Sequence, residues 1–151
     1  MLTTLAYLRH GGRTLMMLRN RKPNDVHEGK WNGLGGRFEG GESPEECMRR
    51  EVREESGLEV EEAQLKGILT FPNFAGRGDR WVFVFVVTRF SGKQGECAEG
   101  ELHWIDDAEL LDLELWPGDR VFLPWLNEPG LFSAKFTYEG GRLVSHQVEF
   151  Y

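Results

Sequence analysis

Apolar residues fall along this chain in short runs, each closed off by glycine, proline or charge. Residues 2–9 and 13–19 are two such runs joined by His10-Gly11-Gly12, which predicts a β-hairpin. The polar stretch 20–30 contains Pro23, Asn24 and Asp25 and predicts a surface loop. Glycine then becomes dense, first in Gly33-Leu34-Gly35-Gly36 and again in Gly40-Gly41. Ser43-Pro44-Glu45-Glu46 has the composition of a helix start: Ser43 suits the N-cap, Pro44 the first turn, and Glu46 the return arm of a capping box. That helix is predicted to run to about Ser56, with Gly57 as a left-handed stop. Strands are predicted over 63–74 and 81–90, around the turn 75–79, with a short strand at 101–105. Helices are predicted over 106–113 and over 119–127, the second interrupted or bent by Pro124. A terminal hairpin, 131–138 and 142–150, turns at Glu139-Gly140-Gly141. Strands mixed with two or three helices, without repeat, linker or low-complexity tract, predict one α+β domain over residues 1–151.

Composition narrows the classes. The chain has 25 acidic against 18 basic residues and a formal net charge of −7, which disfavours charge-driven binding along a long nucleic acid. Its longest apolar run, 81–87, is far short of the roughly 20 residues a spanning helix needs, so no membrane partner is expected. The N-terminus has no apolar stretch with a small-residue cleavage site, and no signal peptide is expected. Two cysteines, Cys47 and Cys97, make no disulfide framework and fit a reducing, cytoplasmic location. Monomer and homodimer fit the sequence equally. Where the surplus carboxylates sit is the informative question.

Many of them sit between Glu39 and Glu55. On the predicted helix, Glu51, Glu54 and Glu55 stand at i, i+3 and i+4 and share an arc of about 100°. Like charges so arranged destabilise a helix, and a divalent cation with a preference for hard oxygen donors removes the penalty. A solvated acidic face, balanced by Arg49, Arg50 and Arg53, explains the same spacing. The glycines before the helix favour a ligand, because they let backbone approach it closely.

Gly36, five residues, Glu42, seven residues, then Arg50-Glu51-Val52-Arg53-Glu54-Glu55-Ser56-Gly57-Leu58 resembles the Nudix box, GX5EX7REUXEEXGU with U a bulky aliphatic, at every defined position. The resemblance implies an α/β/α sandwich holding a mixed sheet, a nucleoside-diphosphate-linked substrate, and Mg²⁺ with Mn²⁺ as a substitute. It implies Glu51, Glu54 and Glu55 as metal ligands together with the Gly36 carbonyl. Arg50 then orients a box carboxylate, and Glu42 ties the loop to the helix. A general base on water comes from one of the carboxylates, Glu54 or Glu55 or an acid outside the box. Glu99 and Glu101 precede a predicted strand and are the outside candidates; Glu99 is favoured, for metal binding as well.

Outside the box, Gly29-Lys30-Trp31-Asn32-Gly33, Trp116-Pro117-Gly118-Asp119 and the terminal hairpin resemble the oxidised purine nucleoside triphosphatase (8-oxo-dGTP diphosphatase) branch of that family. Asn32, Trp116 and Asp119 then recognise the purine, by amide, stacking face and carboxylate. Thr4, Leu5, Phe71 and Lys22 complete the candidate substrate contacts. Trp116 as core and Asp119 as a helix cap are the structural alternatives. In one respect the chain departs from the branch: where two adjacent aspartates follow Trp-Pro, the first is here Gly118. His27 and Lys30 are candidates for phosphate contact or plain surface, and Cys47 is expected to be packed rather than nucleophilic. The expected activity is Mg²⁺-dependent hydrolysis of purine nucleoside triphosphates, oxidised ones such as 8-oxo-dGTP included, to monophosphate and pyrophosphate. General (d)NTP hydrolysis and pyrophosphate removal from RNA 5′ ends, the latter using Arg19, Arg21 and Lys22, are the rivals. A non-catalytic binding module is disfavoured by the intact box.

Overall fold

Alternation along two central strands sets the architecture. The computed structural model describes residues 1–151. In β1 (Leu2–His10), Ala6 and Leu8 face one way and Tyr7 the other; in β5 (Arg80–Ser91), Phe85 and Val87 share the first side and Val82, Val84 and Val86 the second. Both faces are therefore apolar, which suits strands covered on each side, and the two pair in parallel from Leu2–Trp81 to Leu8–Val87. β4 (Glu59–Phe71) runs antiparallel to β5, β7 (Phe132–Glu139) parallel to β4, and β8 (Arg142–Phe150) antiparallel to β7.

On the other flank, β2 (Arg13–Leu18) pairs with β6 (Glu101–Asp106) along its length. It meets β1 only at Arg9–Thr14 and His10–Arg13, and β3 (Trp31–Asn32) at its far end. β1 and β2 thus splay apart beyond their turn. The glycine segment fills the gap, bridging β1 at Ala6–Leu34 and Thr3–Arg37.

One face of this mixed sheet carries α1 (Pro44–Ser56), whose Met48 and Val52 pack with Ala6, Leu8 and Phe85. The other carries α2 (Pro117–Phe122), continued by a 3₁₀ turn, with Phe122, Leu123 and Leu126 against Tyr7, Val84 and Phe136. This is the expected α/β/α sandwich. α1 begins and ends as its sequence predicts: Ser43 Oγ accepts the Glu46 N–H at 3.1 Å, Glu46 accepts the Ser43 N–H at 3.2 Å, and Gly57 closes the helix with φ 78°.

Elsewhere the boundaries differ. The strand expected over 63–74 starts at Glu59 and ends at Phe71, because Pro72 offers no N–H and Asn73 and Ala75 take left-handed conformations. The helix expected over 106–113 is a 3₁₀ turn, Asp107–Asp112. The helix expected over 119–127 starts earlier, at Pro117, and gives way to 3₁₀ over Leu123–Asn127. Pro124 cannot donate to the carbonyl four residues back, so the α ladder stops there.

Candidate active site

The site begins where the glycine segment lies along β1. Gly36 accepts the Thr4 N–H at 2.9 Å, and Leu34 exchanges bonds with Ala6 at 2.6 and 3.0 Å. A Cβ on Gly35 would stand 1.9 Å from the Thr4 carbonyl oxygen, and one on Gly36 would stand 2.5 Å from the Glu51 carboxyl carbon. Glycine at these two positions is what lets loop, strand and carboxylate come together.

Helical periodicity then places three carboxylates in three environments. Glu55 falls on the buried side of α1, 6% exposed, and accepts the Gly35 N–H at 2.8 Å. Burial pushes its carboxyl up to about 9; Glu99 and Glu51 add to this, and the Gly35 bond opposes it. Glu51 is half-buried and also raised, first by burial, with Glu54 and Glu99 adding and Arg50 opposing. Glu54 is exposed at the helix surface.

Arg50 joins these elements. It donates to both oxygens of Glu42 at 2.7 and 2.9 Å, to Glu51 at 2.8 Å, to Glu54 at 3.2 Å and to the Arg37 carbonyl at 2.9 Å. Three of these charge-assisted bonds, two to Glu42 and one to Arg37, fasten loop to helix; the other two stay within α1. Together they hold Glu42 down to about 2 and raise Arg50 itself. Glu42 also accepts the Glu39 N–H at 2.7 Å, so it closes the loop and takes no part in the cluster of Glu51, Glu55 and Glu99.

Glu99 belongs to that cluster electrostatically: it raises both Glu51 and Glu55, and Arg19 stands 3.5 Å from it. Glu101 does not. It lies in β6 opposite Leu18 and accepts a bond from Asn20. No three side chains are already gathered as a ready-made ligand set, since Arg50 and Gly35 hold the carboxylates individually. Their chemistry nonetheless fits a hard divalent cation: every donor is oxygen, and the burial and mutual repulsion that raise Glu51 and Glu55 are both offset by such an ion. The Gly36 carbonyl accepts the Thr4 N–H at 2.9 Å and, more weakly, the Cys47 thiol at 3.7 Å, a donor that a cation can displace.

Glu51, Glu99 and Gly36 line a cavity of about 570 Å³ together with Asn32, Trp116 and Asp119; Glu54 and Glu55 do not reach its wall. Trp116 is not core. Its indole N–H donates to His27 Nδ1 at 2.7 Å, its ring meets Phe74 at 5.1 Å edge-on, and the Lys30 ammonium lies 5.0 Å over it. Asp119 caps nothing: it is 6% exposed, and burial pushes its carboxyl up to about 7. Asn32 has its Nδ2 buried and unpartnered. Leu5 and Phe71 line the cavity as well; Phe71 packs on Phe136 at 6.0 Å. Thr4 lines it but turns its hydroxyl to Cys47 Sγ at 3.5 Å, and Cys47 is packed as expected.

Of the basic loop cluster, only Lys22 is left free at the cavity rim. Arg19 is paired with Asp25 at 2.8 Å and Arg21 donates to the Cys97 carbonyl at 2.6 Å. His27 is held neutral, its pKa lowered to about 4 by burial and by Arg19 and Arg80.

Two contributors had no signal in the sequence. Arg80, at the start of β5, reaches His27 at 3.4 Å, and Tyr138, at the end of β7, faces Trp116 at 5.6 Å. Tyr138 also explains Gly118. Its hydroxyl accepts the Gly118 N–H at 2.7 Å and stands 2.7 Å from where a Cβ would be, so phenol occupies the room a side chain at 118 would need.

Comparison with known proteins agrees with this geometry. The NUDIX domain family model matches residues 2–126. The oxidized purine nucleoside triphosphate hydrolase of Danio rerio is 30% identical over 98% of this chain and 94% of its own length. An uncharacterized Nudix hydrolase of Bacillus subtilis is 37% identical over 73% of each. A MutT protein from Bacillus halodurans superposes with a TM-score of 0.86 at 28% identity, over 98% of this chain and 97% of that one. The carboxylate helix fastened to a glycine loop is thus a Nudix box in its structural setting, and the chain belongs to the Nudix family as a Nudix hydrolase.

Proposed function

We propose that this hydrolase cleaves purine nucleoside triphosphates, oxidised ones such as 8-oxo-dGTP included, to the nucleoside monophosphate and pyrophosphate, with Mg²⁺ as its cofactor and Mn²⁺ as a substitute. One observation carries the reading: Asn32, Trp116 and Asp119 converge on the same cavity as Glu51 and Glu99. The names of the Danio rerio and Mus musculus relatives, both oxidized purine nucleoside triphosphate hydrolases, agree with it. A role in clearing damaged nucleotides from the cytoplasmic pool follows from that activity.

Each residue has a task in this reading. Trp116 offers its face to the purine, while Asn32 and Asp119 meet the polar edge. With a carboxyl near 7, Asp119 either donates or accepts there at neutral pH. Glu51, Glu54 and Glu55, with the Gly36 carbonyl and Glu99, hold the divalent ion. Such an ion, when bound, neutralises the phosphate chain and acidifies water. Arg50 keeps Glu51 and Glu54 in place. Glu99 faces the cavity and keeps an exposed edge, so it takes the proton of the attacking water. The oxygen of that water forms a bond to phosphorus as the anhydride bond breaks, and pyrophosphate leaves.

The test is a substrate panel of dGTP, 8-oxo-dGTP, dATP and dCTP with Mg²⁺, followed by pyrophosphate release. Purine nucleotides are expected to exceed dCTP in kcat/KM. Equal values for dGTP, 8-oxo-dGTP and dCTP would remove the purine assignment and leave the hydrolase; no pyrophosphate from any nucleotide would remove the triphosphatase assignment too.

A further inference from the structure

Gly118 leaves room in the wall beside Asp119, and a side chain from the last hairpin fills it. Tyr138, the penultimate residue of β7, lines the same cavity as Asn32, Trp116 and Asp119. Its ring stands edge-on to Trp116 at 5.6 Å and to Phe74 at 5.5 Å, and lies tilted against Phe71 at 6.2 Å. Three aromatic neighbours hold the phenol, and the Gly118 N–H holds it again by donating to its oxygen at 2.7 Å.

A phenol has one proton to give besides the lone pairs with which it accepts. The Gly118 N–H occupies the oxygen as acceptor, and the Tyr138 proton goes to no group of the protein. Asp119 is the charge that acts on this hydroxyl, yet no hydrogen bond joins the two. Burial holds the phenol well above its ordinary range, with the Gly118 bond opposing and Asp119 adding, so at neutral pH the proton stays on. What Tyr138 offers the cavity is therefore a donor. A carboxylate side chain at position 118, the residue the related branch has there, would offer acceptors instead.

The Asp119 carboxyl supplies an acceptor next to that donor. Such a pair complements one kind of purine edge. Guanine and its 8-oxo form present the 6-oxo acceptor beside the N1–H donor, whereas adenine presents an amino donor beside the N1 acceptor. Against adenine the phenol proton meets an amino group, donor to donor, and both lose a partner.

We infer that Tyr138 reads the base: its hydroxyl donates to the 6-oxo group of a purine seated at Trp116, and the cavity thereby selects 6-oxopurine over 6-aminopurine nucleotides. This rests on the placement of the base at Trp116 proposed above. The specificity so obtained comes from the end of the chain and from a neutral group, not from a second acid beside Asp119.

The experiment measures equilibrium binding of three deoxynucleoside 5′-monophosphates with divalent ions chelated, on the wild type, Tyr138→Phe and Gly118→Ala. The bases are guanine, 2-aminopurine, which differs from guanine only in lacking the 6-oxo group and the N1 proton, and adenine. The wild type is expected to favour guanine over both others by about tenfold or more. Tyr138→Phe should weaken guanine binding by about fivefold to tenfold and leave the other two unchanged. A contact from N1–H to Asp119 is present in both proteins and cancels in this comparison. Gly118→Ala brings a methyl group to 2.7 Å from the hydroxyl and displaces it, so the same selective loss is expected even where Tyr138→Phe fails to fold.

A wild type that binds the guanine nucleotide no better than the 2-aminopurine one overturns the inference. So does a Tyr138→Phe protein with unchanged guanine binding, or one that binds all three more weakly by the same factor; the last is the mark of a hydroxyl that only holds Gly118 and Asp119 in place. Mg²⁺-dependent pyrophosphate release from dGTP, measured on the same wild-type preparation, separates the two readings. Turnover without a Tyr138-dependent preference removes only this inference; the preference without turnover removes only the triphosphatase assignment.

Discussion

Asp119→Asn makes the protein more stable and less active, and the gain in stability depends on pH. In the fold the Asp119 carboxyl is buried and pushed up to about 7, against an ordinary value of 3.8. Between those two values the folded chain keeps a proton that the unfolded chain has released, so stability falls as pH rises through that window. By pH 8 the loss reaches about 4 kcal/mol, and at pH 5 it is only about 2 kcal/mol. Asparagine has nearly the same shape and no charge to bury. The advantage of Asp119→Asn over the wild type should therefore grow by roughly 2 kcal/mol from pH 5 to pH 8. Urea denaturation at the two pH values reads this directly, as a growth of about 1 M in the difference between midpoints for a domain of this size. His27 at about 4 and Glu55 at about 9 also titrate out of register with the unfolded chain, but they do so in both proteins and cancel in the comparison. In the same variant, KM for purine nucleotides should rise by about tenfold, the scale of a hydrogen bond to a charged group. A midpoint difference that is the same at pH 5 and pH 8 would refute the assignment of Asp119 as a buried, proton-holding acid.

Four other substitutions separate structure from chemistry. Glu55→Gln keeps an oxygen for the Gly35 N–H and removes a carboxyl that must take up a proton on folding at pH 7, so the metal-free protein should melt no lower than the wild type at pH 7 while turnover falls by about 100-fold or more; undiminished turnover would contradict its proposed place in the metal site. Gly35→Ala brings a methyl group to 1.9 Å from the Thr4 carbonyl oxygen and should destabilise by about 2 kcal/mol or more, read as a lower urea midpoint. Tyr138→Phe leaves the Gly118 N–H without its partner, a loss of about 1–2 kcal/mol. In that background Gly118→Asp should be better tolerated than in the wild type, because the hydroxyl 2.7 Å from the new Cβ has gone; the comparison is of melting temperatures across the double-mutant cycle.

What the sequence made legible was local. Ser43, Pro44, Glu46 and Gly57 delimit α1 by bonds made within a few residues, and the same helical period puts Glu51, Glu54 and Glu55 on adjoining positions. It could not rank the three: Glu55 is buried and Glu54 exposed only because α1 rolls Met48 and Val52 onto the sheet. Pattern likewise predicted strands but not that β1 and β2 diverge, since divergence is settled by the segment that comes to lie between them. The environment of Trp116 is assembled from His27, Phe74 and Tyr138, which are scattered from the first loop to the last hairpin. Pro124 interrupts its helix, one of the two outcomes the sequence predicts: the missing donor converts the remainder to 3₁₀.

The glycine segment between β1 and α1 has the composition of a hinge, yet Leu34 and Gly36 are hydrogen-bonded to β1 as though they were a strand of the sheet. In hydrogen exchange the Leu34 amide should then be protected like the core rather than like a loop, exchanging through large openings and not through local fraying. The segment is accordingly stiff before any nucleotide arrives. Ligand entry owes nothing to its ordering, and the entropy of forming the site is settled when the protein folds.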